Sequence, residues 1–213
     1  MKRTTIALTI FLFIGLAFVP AQELKPIQLP PPQTEIGKPL MQALKLRQSS
    51  RSFGTKALPL QEISNLLWAA YGINRLESGK RTAPSAMNWQ EVDIYVALAE
   101  GVFLYDAKAN KLNSVIAKDL RSSTGSQGFV AEAPLNLIYV ADMSRVSRAT
   151  SEDKILYTSA DVGFIAENVY LYCASQGLAV VVRGLVERAS LAEVLKLRPE
   201  QKIILAQTVG YGK

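Results

Sequence analysis

The segment from about Glu152 to Gln176 reads as one uninterrupted helix, closed by Gly177. Its apolar positions run nearly all the way round, and Ala160, Gly163 and Ala166 are small enough to let another backbone come close. A surface helix carries a single apolar stripe, so a helix of this kind sits at the centre of something, either a core or a subunit interface. Any fold proposed for the chain has to be assembled around it.

The segments that could do so are mixed. PLMQALKLR, from Pro39, has apolar residues at helical spacing, with proline at a position the first turn tolerates. PLQEISNLLWAAYGI places Leu60, Ile63, Leu66, Leu67 and Ala70 on one face and stops at Gly72; Trp68 and Tyr71 read as core or interface residues. Strand-like alternation follows over 92–98 and again over 101–106, with a turn near Ala109 and Asn110. LNLIYVAD, 135–142, is a buried strand entered through Pro134, and AVVVRG and KIILAQTVGYG supply two more. The span 114–133 is expected to be helical in part. Ser190 followed by Glu193 predicts a capping box for a helix reaching Leu197. Residues 22–38, with LPPPQ at 29–33, form an extended arm ahead of a single domain, 39–213. Helices and strands alternate irregularly and one adjacent strand pair reads as a hairpin. The expectation is an α+β sheet and not a doubly wound parallel one.

The amino terminus stands apart. Lys2 and Arg3 precede an apolar run from Ile6 to Val19 and the small residue Ala21, the pattern of a secretory signal spanning 1–21. The run is short for a membrane span, with an uncleaved membrane anchor as the other reading. The expectation is export to the periplasm or medium. Cleavage removes the two charges of Lys2 and Arg3, taking the net charge from +6 to +4. The remaining Lys and Arg are scattered, with no basic run interleaved with aromatics, so no nucleic-acid partner is expected and a local anionic ligand fits better.

The chain has no histidine and one cysteine. That removes Ser-His-Asp and Cys-His catalysis, His-ligated metal sites, any internal disulfide and any Cys zinc or iron-sulfur site, so no metal is expected. Cys173 lies in an apolar helical pattern and reads as a buried, inert thiol. No G-x-G-x-x-G follows the first strand and no Walker lysine is present, which argues against dinucleotide-binding and P-loop folds. An enzyme so equipped leaves its difficult chemistry to a bound organic cofactor.

RQSSRSF, 47–53, offers two arginines four apart among serines. Guanidinium forks, serine hydroxyls and free backbone N–H groups at a helix end suit a phosphate; a solvated helix end is the plainer alternative. Four pieces in order, RQSSR, APSAMNWQ, the long helix ending in ASQGLAVVVRG, and ILAQTVGYG, together resemble the nitroreductase family of flavin enzymes over about residues 39–212. GKRTAPSAMNWQEVDIYV followed by GVFLYDAKANKL is most similar to its SagB/ThcOx branch. The resemblance implies a central, mainly antiparallel sheet flanked by helices, a homodimer, and FMN bound at the interface. It would place Arg47, Gln48, Ser49 and Arg51 along the phosphate, ribityl chain and ring edge. Pro84, Ser85, Ala86, Met87 and Asn88 would come from the other subunit, with Asn88 at the O4, N3 and N5 side of the ring. Backbone N–H groups around Val182, Arg183 and Gly184 would meet the N5 edge, and the Arg183 side chain could reach substrate or a pyrimidine carbonyl. Relatives commonly place another Lys or Arg on the phosphate from a tail beyond the last strand; this sequence departs from that pattern, with Lys213 three residues after Gly210 as the nearest substitute. The implied activity is hydride transfer through flavin N5 to or from a small organic or peptide substrate. The alternative is an exported flavin- or peptide-binding protein of the same fold without turnover.

Overall fold

The computed structural model describes residues 23–213; the signal expected over 1–21 lies outside them. The arm is extended, and a two-residue strand β1 (Ile27–Gln28) anchors it to the sheet edge. Helix α1 (Leu40–Leu46) leads to the arginine segment, and α2 (Leu60–Tyr71) follows; each begins directly after a proline whose fixed φ suits a helix entrance. A small hairpin, β2 (Ile73–Arg75) and β3 (Lys80–Arg81), and a 3-10 turn at Ala86–Asn88 occupy the polar stretch before the main strands. These are β4 (Val92–Leu98), β5 (Gly101–Asp106) and β6 (Lys111–Ile116). Beyond a 3-10 turn at Arg121–Thr124 come α3 (Phe129–Glu132), β7 (Leu135–Asp142), α4 (Ser151–Gln176), β8 (Ala179–Arg183), α5 (Arg188–Val194) and β9 (Gln201–Gly210).

Seven strands form one sheet in the order β1-β6-β5-β4-β7-β9-β8, and every neighbouring pair is antiparallel. The alternation of the two central strands sorts their side chains between two cores. Ile94, Val96, Leu98, Leu135, Leu137 and Tyr139 face α2 and α4. Tyr95, Ala97, Ile138 and Val140 face α5 and the segment around Leu120. Burial on both faces is why β7 reads as a continuous apolar run. Helix α4 starts where the Thr150 hydroxyl accepts the Asp153 N–H at 3.1 Å, and ends at Gly177 in the left-handed conformation. Its buried residues include Thr158, Asp161, Val162, Ile165, Ala166, Val169, Tyr170 and Cys173, half its circumference.

The segment 114–133 is helical in part, as expected: the turn at Arg121–Thr124 and α3 lie within it, while its start belongs to β6, which runs through Ile116. One expectation is corrected. Ser190 does not cap a helix. Helix α5 begins at Arg188, and the Ser190 hydroxyl donates back to the Glu187 carbonyl at 3.2 Å.

Candidate functional site

Two polar segments dock on α4 and define the site. The first is the arginine segment after α1. Ser50 N–H donates to the Val180 carbonyl of β8 at 2.8 Å, adding the segment to the sheet's free edge. The Ser49 hydroxyl lies 2.8 Å from the Tyr170 hydroxyl on α4, and the Tyr170 oxygen accepts the Val182 N–H at 2.9 Å. The Arg47 guanidinium rests over the Tyr170 ring, 5.4 Å from its centroid. Tyr170 thus joins the arginine segment, α4 and β8. Arg51 and Gln48 are exposed, and among the described residues neither Arg47 nor Arg51 pairs with a carboxylate. Gln48 and Ser50 line a cleft of about 290 Å³ with Lys38, Leu46 and Val180.

The free edge of β8 has a definite polarity. N–H and C=O of one residue point to the same side of a strand, so Val180 and Val182, which bond outward to Ser50 and Tyr170, define that edge. The next donor along it is Gly184 N–H, which no acceptor among the described residues takes. Gly184 is exposed, so the approach to this N–H is open, and a Cβ added there would meet only Leu205 Cδ2, at 3.9 Å.

Arg183 is placed differently from expectation. It points to the opposite face of the sheet and is buried. Its guanidinium donates to Thr208 Oγ1 at 3.0 Å, Thr124 O at 2.7 Å and Asn136 Oδ1 at 3.1 Å. Burial lowers its pKa to about 10. The side chain holds β8 against β9 and β7 and cannot reach a ligand on the α4 side; strand alternation decides this, since 182 and 184 face one way and 183 the other. Lys213 pairs with Glu132 at 2.8 Å.

The second segment is Pro84–Asn88. Ala86 N–H donates to Asp161 Oδ2 on α4 at 2.8 Å, and Ser85 Oγ accepts Gln90 N–H at 2.8 Å while donating to Glu91 Oε2 at 3.2 Å. Met87, Asn88 and Gln90 all have positive φ, of 49°, 57° and 47°, a conformation that side-chain-bearing residues adopt only when their surroundings fix it. Met87 and Asn88 are left exposed at the tip. Beneath them Glu91 and Asp161 are buried as hydrogen-bonding neighbours, and among the described residues no donor reaches Glu91 Oε1. Burial pushes both carboxyls up. The hydrogen bond between them raises Glu91 further and lowers Asp161, so Glu91 is the carboxyl more strongly favoured in its neutral form.

Asp161 and Tyr170 are nine residues apart on α4, about 14 Å along its axis and half a turn round it. They sit at opposite margins of its buried face. One chain therefore presents two separate half-sites, one on each flank of α4. Between the flanks, Leu156, Tyr157 and Phe164 are exposed beside Ala160 and Gly163, an apolar strip facing outward. Tyr170, Asp161 and Glu91 are the site residues that sequence reasoning missed. Asp161 alone left a signal, a charge at a position of α4 that the helical period buries.

An antiparallel sheet built round one long helix, with a guanidinium-bearing segment added to the sheet's edge, defines a nitroreductase-like fold. Residues 44–211 match the model of the nitroreductase family, and the chain belongs to that family. A Methanocaldococcus jannaschii protein provisionally named a nitroreductase is 32% identical over 180 residues, 77% of this chain and 90% of the relative. A Ralstonia eutropha crystal structure, provisionally named the same way, is 45% identical, with a TM-score of 0.85 over 89% of this chain and 90% of that one. A Desulfovibrio desulfuricans crystal structure, also provisionally named a nitroreductase and in complex with FMN, shares the fold at 19% identity, with a TM-score of 0.61 over 82% and 87% of the two chains.

Proposed function

We propose that this protein is an exported, homodimeric, FMN-dependent oxidoreductase of the SagB/ThcOx branch, acting on a small organic or peptide substrate. The observation that carries the flavin reading is the arginine segment seated on the β8 edge, where Arg47 and Arg51 have no carboxylate partner among the described residues and the Gly184 N–H, further along the same edge, has no acceptor among them. A dianionic phosphate and a flat ring that accepts a hydrogen bond at its edge fit that donor set. Arg47, Gln48, Ser49 and Arg51 would hold the phosphate, ribityl chain and ring edge, and Gly184 N–H the N5 edge. The partner subunit's copy of Pro84–Asn88 would cover the ring, because the half-sites of one chain lie on opposite flanks of α4. The apolar strip of Leu156, Tyr157 and Phe164 supports that pairing.

Bound there, FMN would supply hydride transfer at N5, which no side chain of this chain can offer. The residues contribute position and charge. Tyr170 fixes the distance between the arginine segment and the β8 edge, and Asp161 fixes the loop that presents Asn88, whose amide can both donate and accept. Export is supported by the charged, then apolar, then small-residue pattern of 1–21.

Purified protein with a flavin absorption spectrum that bleaches with dithionite and returns with an acceptor would support the reading. Arg47→Ala should weaken FMN binding by roughly 10- to 100-fold, the loss of a charge-assisted bond of about 1.5–3 kcal/mol. Colourless protein that takes up no added FMN would overturn it.

A further inference from the structure

A second set of cations lies beside the other half-site. Arg75, Lys80 and Arg81 of the β2–β3 hairpin, with Ser85, Asn88 and Gln90, line a cleft of about 210 Å³. Among the described residues none of the three cations pairs with a carboxylate. Two of them are held in place by neutral groups. Arg75 donates to Asn74 Oδ1 at 3.0 Å and to the Arg81 carbonyl at 2.7 Å. Arg81 donates to Gln90 Oε1 and to the Tyr71 carbonyl, each at 2.8 Å, and stacks on the Tyr71 ring at 4.4 Å. Among the described residues nothing accepts from Arg81 Nη2.

The amides follow from this. Gln90 Oε1 is turned to Arg81, so Gln90 Nε2 faces away and donates to the Gly79 carbonyl and to Asn88 Oδ1, both at 3.1 Å. That consumes the Asn88 acceptor and leaves its N–H groups free. The side-chain acceptors at this cleft are thus taken internally, while the free groups are donors and cations. Such a lining repels a cation, gains little from a neutral ligand, and is complementary to an anion.

We propose that the hairpin recognises one small anionic group, a carboxylate or a phosphate, on the molecule that exchanges electrons at the flavin site. The location rests on the functional reading above, since β3 runs through Thr82 and Ala83 into the Pro84–Asn88 loop; the anion preference rests on the cleft alone. Arg81 is the fixed fork, and Lys80 and Arg75 close on the anion from the hairpin rim.

Three nitroaryl probes of like size separate the possibilities: 4-nitrobenzoate, 4-nitrophenyl phosphate and neutral 4-nitrobenzamide. Binding is read from quenching of the two tryptophans, Trp68 and Trp89, which flank the hairpin; Trp89 follows Asn88, and the Trp68 carbonyl accepts the Thr82 hydroxyl at 3.2 Å. At low salt one of the two anions should bind at least 10-fold more tightly than the amide, and which one does so identifies the group. In Arg75→Gln/Lys80→Gln, two exposed positions whose replacement leaves the core untouched, the preference should fall below threefold. Equal binding of all three probes, or a preference unchanged in the double variant, overturns the proposal. The binding measurement needs no cofactor, so protein that prefers an anion but takes up no FMN would refute the flavin reading, and with it the electron-exchanging partner, while the anion preference of the cleft would stand.

Discussion

The carboxyl pair under the Pro84–Asn88 loop makes stability depend on pH in a direction that can be worked out. Burial raises Glu91 and Asp161 above the usual carboxylate range, so the folded chain retains a proton that the unfolded chain has released. Stability rises with pH only where the unfolded state binds more protons; here the folded state does. The contribution is complete below the unfolded pKa of about 4 and declines as pH rises through the folded value. The slope for one proton is at most about 1.4 kcal/mol per pH unit, which with a urea m-value of roughly 2 kcal/mol/M lowers the midpoint by about 0.7 M per unit. The groups bearing on the pair are Tyr71 from α2 and Ser85 from the loop, and burial pushes the Tyr71 hydroxyl up, further from neutrality. The chain has no histidine, so no other side chain has an ordinary pKa between 5 and 8. Glu91→Gln keeps a donor toward Asp161 without the titrating proton. Urea denaturation followed by far-ultraviolet circular dichroism at pH 5 to 8 should show a falling midpoint in the wild type and a nearly flat one in the variant. A flat wild-type profile, or a decline that persists in Glu91→Gln, would refute the assignment. Asp142 provides an internal control: burial pushes it up, but the Ser144 hydrogen bonds and then Arg145 and Arg198 hold it below the usual range. Its contribution is lost only as pH falls through that lower value, and both proteins should share this acid limb.

Other substitutions probe the two half-sites. Tyr170→Phe removes the acceptor of Val182 N–H and the partner of Ser49; a loss of about 1 kcal/mol in stability is expected, with FMN held roughly fivefold more weakly by equilibrium dialysis. Gly184→Ala should leave the melting temperature unchanged, since its Cβ meets nothing closer than 3.9 Å, yet reduce FMN affinity if the ring packs on that edge. Gly125→Ala should destabilise by about 1–3 kcal/mol, because its Cβ would lie 1.9 Å from Arg183 Nη1 in a buried network; a melting temperature within a degree of wild type would show that Arg183 has room to move.

How far the sequence could be read depended on the range of the interaction. The alternation of β4 and β5, the apolar run of β7 and the long apolar α4 are local patterns, and all four elements lie within a residue or so of where the sequence put them. The third strand, β6, was missed because only Leu112 of its six residues is buried, too few to display a period. The arginine segment was legible as chemistry, two forks among hydroxyls, although its seat on β8 was not. What the sequence could not show was which side chains meet across the sheet. Tyr170 and Tyr172 look alike in YLYC, but a difference of two residues turns one toward Val182 and the other toward Glu62.

Arg183 carries the same lesson further. In AVVVRG it reads as a charge at the end of a strand, next to a glycine, which is how a ligand-binding arginine would look. Alternation along β8 sends it instead into the far core, where neutral oxygens take its hydrogen bonds and burial lowers its pKa to about 10. A buried cation without a carboxylate is costly unless its hydrogen bonds are well made, and removing any one acceptor would leave the guanidinium short of a partner. That anchoring fixes the end of β8 from behind. The Gly184 donor on the opposite edge therefore has a rigid support, although Arg183 itself never reaches the face where a ligand would lie.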